Sequence, residues 1–153
     1  AFTSPTSNSG FKAPSAILKG EFDLIADRDF TPTFSGKHDN SILGVYNGDY
    51  EIASVANSVL QRMERRGVIE KGKLRAVYRS PTFPTTGYGH AHNLHPELVA
   101  KIKTAFFTWD FDDDPLYKKE FAKADKFIGI RHMNDWAVIR QIDTANGVSY
   151  DCK

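Results

Sequence analysis

The run Pro5-Thr6-Ser7-Asn8-Ser9-Gly10, leading straight into Phe11-Lys12-Ala13-Pro14-Ser15-Ala16-Ile17-Leu18, constrains the fold more than any other stretch. Hydroxyls, an amide and a glycine at the mouth of an apolar-periodic segment describe a helix N-terminus. The first backbone N–H groups of such a helix have no partner within it, and the positive end of its dipole points the same way. An end of that kind attracts an anion, and Ser7, Asn8 and Ser9 would add donors without adding charge. More plainly, Ser7 or Ser9 is an ordinary N-cap.

The rest of the chain alternates, which predicts an α/β architecture rather than an all-helical one. A short strand is expected to end near Ser4, followed by a helix from about Ser7 to Lys19. Phe30 to Phe34 reads as a strand, with Pro32 marking an edge or bulge. A helix carrying Ile42, Leu43, Val45 and Tyr46 is stopped by Asn47-Gly48. Tyr50 to Ala56 has the small apolar character of a buried strand. Asn57 then opens a helix with Val59, Leu60 and Met63 inward, ending at Gly67, and Leu74 to Arg79 reads as another strand. Two prolines stiffen the loop Ser80-Pro81-Thr82-Phe83-Pro84-Thr85-Thr86-Gly87-Tyr88-Gly89, the candidate crossover between two bodies. His90 to His92 could be strand. Pro96 starts a helix on Leu98, Val99, Ile102, Ala105 and Phe106, and Leu116 to Ala122 and Asn134 to Ile142 read as further helices.

Composition excludes more than it selects. With 20 Lys+Arg against 19 Asp+Glu the formal charge is +1, so nothing points to nucleic acid. No window approaches the roughly 18 apolar residues of a membrane span. Cys152 is the single cysteine, which excludes an internal disulfide and argues against a thiolate metal cluster, and no cofactor is implied. The start, Ala1-Phe2-Thr3, reads like mid-strand, so the chain is expected to be part of a longer one.

Taken together, Ser4 to Gly10, Gly36-Lys37-His38-Asp39-Asn40-Ser41-Ile42, Val55-Ala56-Asn57-Ser58, Ser80 to Thr86, Phe127-Ile128-Gly129-Ile130 and Asp135 to Arg140 resemble one family in order and spacing. It is the extracytoplasmic substrate-binding proteins of phosphonate, phosphite and phosphate ABC transporters. The resemblance implies a type II periplasmic-binding-protein lobe, a three-layer α/β/α mixed sheet, with C-terminal elements of the other lobe. Residues 1–86 would be ligand-binding lobe two, with hinge crossings near 1–5 and 80–86. Residues 87–153 would return to lobe one, whose first part is missing here. A periplasmic or extracytoplasmic location is implied, membrane-anchored in a Gram-positive cell, as is an ABC permease of the inner membrane as partner.

By motif match, Ser7, Asn8 and Ser9 fall on the phosphoryl oxygens, with His38 reaching the same group. Binding an anion would favour the protonated imidazole. Thr85, Thr86 and Asn57 are further ligand-binding candidates. Thr85 and Thr86 could instead form only a hinge turn, Asn57 a helix cap, and Tyr88 packing. Members that bind aminoalkyl phosphonates offer carboxylates where this chain has Ser58 and Thr86. An ammonium left without a buried carboxylate partner costs several kcal/mol, so phosphite, methylphosphonate or phosphate is the expected ligand.

Several alternatives compete with that expectation. A truncated or proteolytic fragment would bind nothing by itself. A phosphoester hydrolase built on Ser7, His38 and Asp39 meets the objection that adjacent helical side chains diverge. His90, His92 and His95 suggest a zinc site, but His95 stands before Pro96 where it is expected to be exposed, so no metal is expected; Asp110, Asp112 and Asp114 fail the calcium-loop pattern because Pro115 and Phe121 stand where glycine and glutamate are required.

Overall fold

A computed structural model describes residues 1–83, 87–116 and 126–147. The chain divides into two compact units, Ala1–Thr85 with Trp136–Lys153, and Thr86–Asp135.

The first unit is organised by the segment at residues 1–3. Phe2 N–H donates to Thr33 O (2.8 Å), Ser35 N–H to Phe2 O (2.9 Å) and Gly36 N–H to Thr3 O (2.7 Å). On its other side the Ala1 amino group donates to Ile52 O (2.7 Å), and Ser54 N–H donates to Ala1 O (3.0 Å). Both sets have the slanted pattern of parallel pairing, with residues 1–3 in the middle. Each extended segment is followed by a helix: α1 (Ala13–Phe22), α2 (His38–Asn47) and α3 (Asn57–Arg65). Parallel segments run to the same end, so the three helix starts lie at that common edge.

The expected sheet is much reduced. Among the described residues pairing goes no further than isolated bridges, Phe2 with Phe34 and Ala26 with Phe30. Phe30–Phe34, Tyr50–Ala56, Leu74–Arg79 and His90–His92 are extended or irregular rather than laddered strands. Local composition favoured extension there, but a strand exists only where a neighbour takes its N–H and C=O groups. The structure supplies such neighbours for only a few residues at a time.

Entry to α1 is through a wide turn, Asn8–Lys12, with hydrogen bonds one residue longer than an α-helix makes. Pro14 explains it. Proline has no N–H, and its ring crowds the carbonyl four residues back, which is that of Gly10. That carbonyl instead accepts the Thr3 N–H at 3.1 Å. Gly10 is buried, and a Cβ at this position would overlap the Thr3 side chain. The helix start is thereby seated directly on the central segment.

Two apolar clusters hold the unit. Phe2 and Phe11 meet edge to face at 5.2 Å, and Phe11 meets Phe34 at 5.1 Å. Beneath α2 and α3, Ile42, Met63 and Ile69 are buried among Leu43, Tyr46, Val55, Val59, Leu60 and Leu74. The α2 helix ends as its sequence demands, with Gly48 in the left-handed region at φ 87°.

The second unit carries α4 (Pro96–Phe107) and a short helix α5 (His132–Asp135). Tyr88, Phe106, Phe111 and Phe127 form an aromatic cluster, with Phe106 to Phe127 at 5.0 Å and Phe111 to Phe127 at 5.2 Å. Within this cluster Tyr88 lies against Phe106 and Phe127. The last helix, α6 (Ala137–Ala145), groups with the first unit, although the sequence division set all of 87–153 together. It is tied there by Lys12 Nζ to Asp143 Oδ1 (3.0 Å) and by Asn146 Nδ2 to Lys12 O (3.3 Å).

Candidate functional site

Ser7 is the N-cap of the wide turn, and its Oγ accepts the Gly10 N–H at 3.0 Å. Capping uses one lone pair of the hydroxyl, so its proton is still available to a neighbour. Phe11 and Lys12 donate to Ser7 O (3.1 and 2.9 Å), which satisfies the inner amides. The N–H groups of Asn8 and Ser9 have no hydrogen-bond partner among the described residues. No carboxylate plugs them, and Ser7, Asn8 and Ser9 are half-buried rather than sealed. Capping by Ser7 therefore leaves donors of this turn available to a further acceptor.

His38 is the first residue of α2 and joins the three helix starts. Its Nε2 lies 3.4 Å from Ser9 Oγ, at the mouth of α1. Its Nδ1 accepts the Ala56 N–H at 3.0 Å, at the mouth of α3. Neither α2 nor α3 has a side-chain cap, so their first amides add to the same positive edge. Burial is the main influence holding the His38 pKa below its usual value; Asp39 pushes it up, and Arg62 pushes it down. Asp39 and Arg62 approach each other at 3.9 Å.

The edge that results holds oriented donors and a neutral ring. In parallel α/β units this end, beyond the carboxyl ends of the extended segments, is where ligands bind. Its chemistry suits a small anion taken up by hydrogen bonding. A hydrolytic triad is not assembled: Ser9 rather than Ser7 faces the imidazole, and Nδ1 is occupied by a backbone amide rather than by Asp39.

Not every expected residue joins the site. Asn57 occupies the first position of α3 and is exposed; Ala56 is the N-cap, so Asn57 is not a helix cap. Ser58 is exposed beside it. Thr85 and Thr86 lie outside the described residues. Among the described residues no group of three His, Cys, Asp or Glu side chains could hold a metal ion, the His90–His95 stretch included. What sequence reasoning missed is the Ala56 amide. Ala56 lies inside a motif that carried the resemblance, but an alanine side chain announces nothing about its backbone N–H.

Oriented amides and neutral side chains at the edge of parallel segments suit recognition by hydrogen bonding. Residues 1–135 match the family described as ABC transporter, phosphonate, periplasmic substrate-binding protein, and the chain belongs to that family. Its members are the binding components of importers, not enzymes. Over 159 aligned positions the chain is 26% identical to the phosphate-import protein PhnD of Mycolicibacterium smegmatis, covering 99% of this chain and 49% of that protein. The chain thus spans about half the length of the curated relative it matches. No helix among the described residues is long and apolar enough to cross a membrane.

Proposed function

We propose that this chain contributes the oxyanion-binding lobe of the solute receptor of an ABC importer, outside the cytoplasmic membrane, and that the ligand is phosphite, methylphosphonate or phosphate. One observation carries this: His38 links the starts of α1 and α3, touching Ser9 at 3.4 Å and Ala56 at 3.0 Å, beside unpartnered amides of Asn8 and Ser9. Recognition is by hydrogen bonding, without a covalent step. The name of the mycobacterial relative, a phosphate-import protein, agrees with a tetrahedral oxyanion as ligand.

A ligand without an amine follows from the residue types at the two positions where amine-binding members are expected to carry carboxylates. Ser58 offers no charge to an ammonium group, and Thr86 is uncharged by sequence. In this reading the extended segments at 1–3, 33–36 and 52–54 are the beginnings of lobe two's sheet, residues near 1–5 and 80–86 are the hinge crossings, and Thr85 and Thr86 face the ligand. The longer protein supplies the rest of lobe one and meets the permease.

Calorimetry with phosphite, methylphosphonate, phosphate and 2-aminoethylphosphonate tests the proposal. Binding of one of the first three is expected, with Ser9→Ala and His38→Ala each weakening it about tenfold to a hundredfold, the range for lost hydrogen bonds to a charged group. Tightest binding of the amine-bearing ligand would defeat the amine-free assignment. No binding of any of the four would leave the chain as a fragment without ligand function.

A further inference from the structure

We infer that the Ala56 amide locks His38 as a neutral imidazole with its one proton on Nε2, so that the ring meets the oxyanion as an N–H donor without positive charge. This rests on the oxyanion reading above and sharpens it into a statement about how the ring meets the ligand. It also reverses the sequence-based expectation that an anion would draw His38 into its charged form.

A backbone N–H can donate but never accept. Ala56 N therefore requires a lone pair at the atom 3.0 Å away, and Nδ1 is that atom. Turning the ring over would set a carbon against the amide and leave the N–H without an acceptor. With Nδ1 unprotonated, a neutral ring must carry its hydrogen on Nε2, the nitrogen facing Ser9. Charging the ring would press an N–H against an N–H across the same 3.0 Å.

The surroundings do not offset that penalty. On α2 itself Asp39 favours the charged ring, and on α3 Arg62 opposes it; the two pair with each other at 3.9 Å. The α1 start presents only Ser7, Asn8 and Ser9, all uncharged, and Lys12 beyond them is paired with Asp143 at 3.0 Å. A ligand oxygen between Ser9 and Nε2 thus meets N–H donors and hydroxyls. The ring therefore meets a ligand oxygen as an uncharged donor, while the hydroxyls, which both donate and accept, suit ionised and protonated oxygens alike.

Nitrogen-15 spectra of the imidazole rings in the free protein, at neutral pH, test the lock directly. Nδ1 of His38 is expected at the shift of an unprotonated nitrogen and Nε2 at that of an N–H, unchanged when phosphite or methylphosphonate is added to saturation. A protonated Nδ1, free or bound, overturns the inference. Ala56→Pro sets a ring methylene where the amide hydrogen pointed and so breaks this contact, at a residue whose φ of −70° already suits proline. With helical content preserved by circular dichroism, the variant's His38 should titrate at higher pH than wild type; an unchanged titration refutes the lock.

Affinity for phosphite should vary less than about twofold between pH 7.5 and 9, where an imidazolium partner would lose about tenfold per pH unit. If phosphite, methylphosphonate and phosphate all fail to bind, the receptor reading fails, while the spectrum of the free protein still decides the tautomer.

Discussion

The two units use their apolar residues in opposite ways. In the first, Phe2, Ile42, Met63 and Ile69 are each no more than 4% exposed, and the helices rest on a shared central segment. In the second, α4 has no buried residue; Leu98 is 46% exposed and Phe107 51% exposed. Its aromatic cluster holds local order, but among the described residues no extended segment pins a helix start in place. Precision at a binding edge therefore follows from how the backbone is seated, and apolar content alone does not supply it. Among its described residues the second unit has aromatic rings to spare and no constellation of donors to match the first.

The sharpest way to break this contrast is paired truncation. Ile42→Ala should cost about 2–5 kcal/mol in chemical denaturation, the range for emptying a packed site, while Leu98→Ala should stay within about 0.5 kcal/mol. Equal costs would erase the distinction between the units. A smaller effect is expected at the seat of the site. Gly10→Ala should lose about 1–3 kcal/mol by overpacking against Thr3, with part recovered when Thr3→Ala is added. Strict additivity of the two changes would mean that the helix start is not held by that contact.

Cutting the tie between α6 and the site helix should cost about 1–3 kcal/mol in Asp143→Ala, because Lys12 loses its partner in a half-buried setting. It should also weaken oxyanion binding modestly, which calorimetry would detect. Smallest is the pH effect. His38 binds its proton less readily folded than unfolded, so the unfolded chain holds more protons just below the ordinary pKa of 6.5. The contribution is complete above 6.5 and is lost as pH falls toward the lower folded pKa. Thermal melts of wild type between pH 7 and 5 should therefore fall more steeply than those of His38→Gln; parallel slopes would exclude the ring as the source.

Much of this was legible residue by residue. Hydroxyls before an apolar period marked the start of the first helix, Asn47-Gly48 stopped α2, Asn57 opened α3 and Pro96 opened α4, since caps and breakers act over a few residues. The first helix runs to Phe22, past the expected Lys19, and the final one covers Ala137–Ala145 rather than 134–142. Strands were the weak point. Tyr50–Ala56 and Leu74–Arg79 have strand-like composition, but laddering depends on a partner far away in the chain, which no local pattern encodes.

The sequence by itself determined where helices begin, which residues could donate to an anion, and that no carboxylate stands at Ser58. Only the tertiary structure decided that Ser9, His38 and Ala56 share one edge, and that the imidazole is met by a backbone amide. The reason is physical: capping and side-chain chemistry are properties of near neighbours. The orientation of an amide 18 residues from the ring it meets exists only once parallel segments have brought the helix starts together.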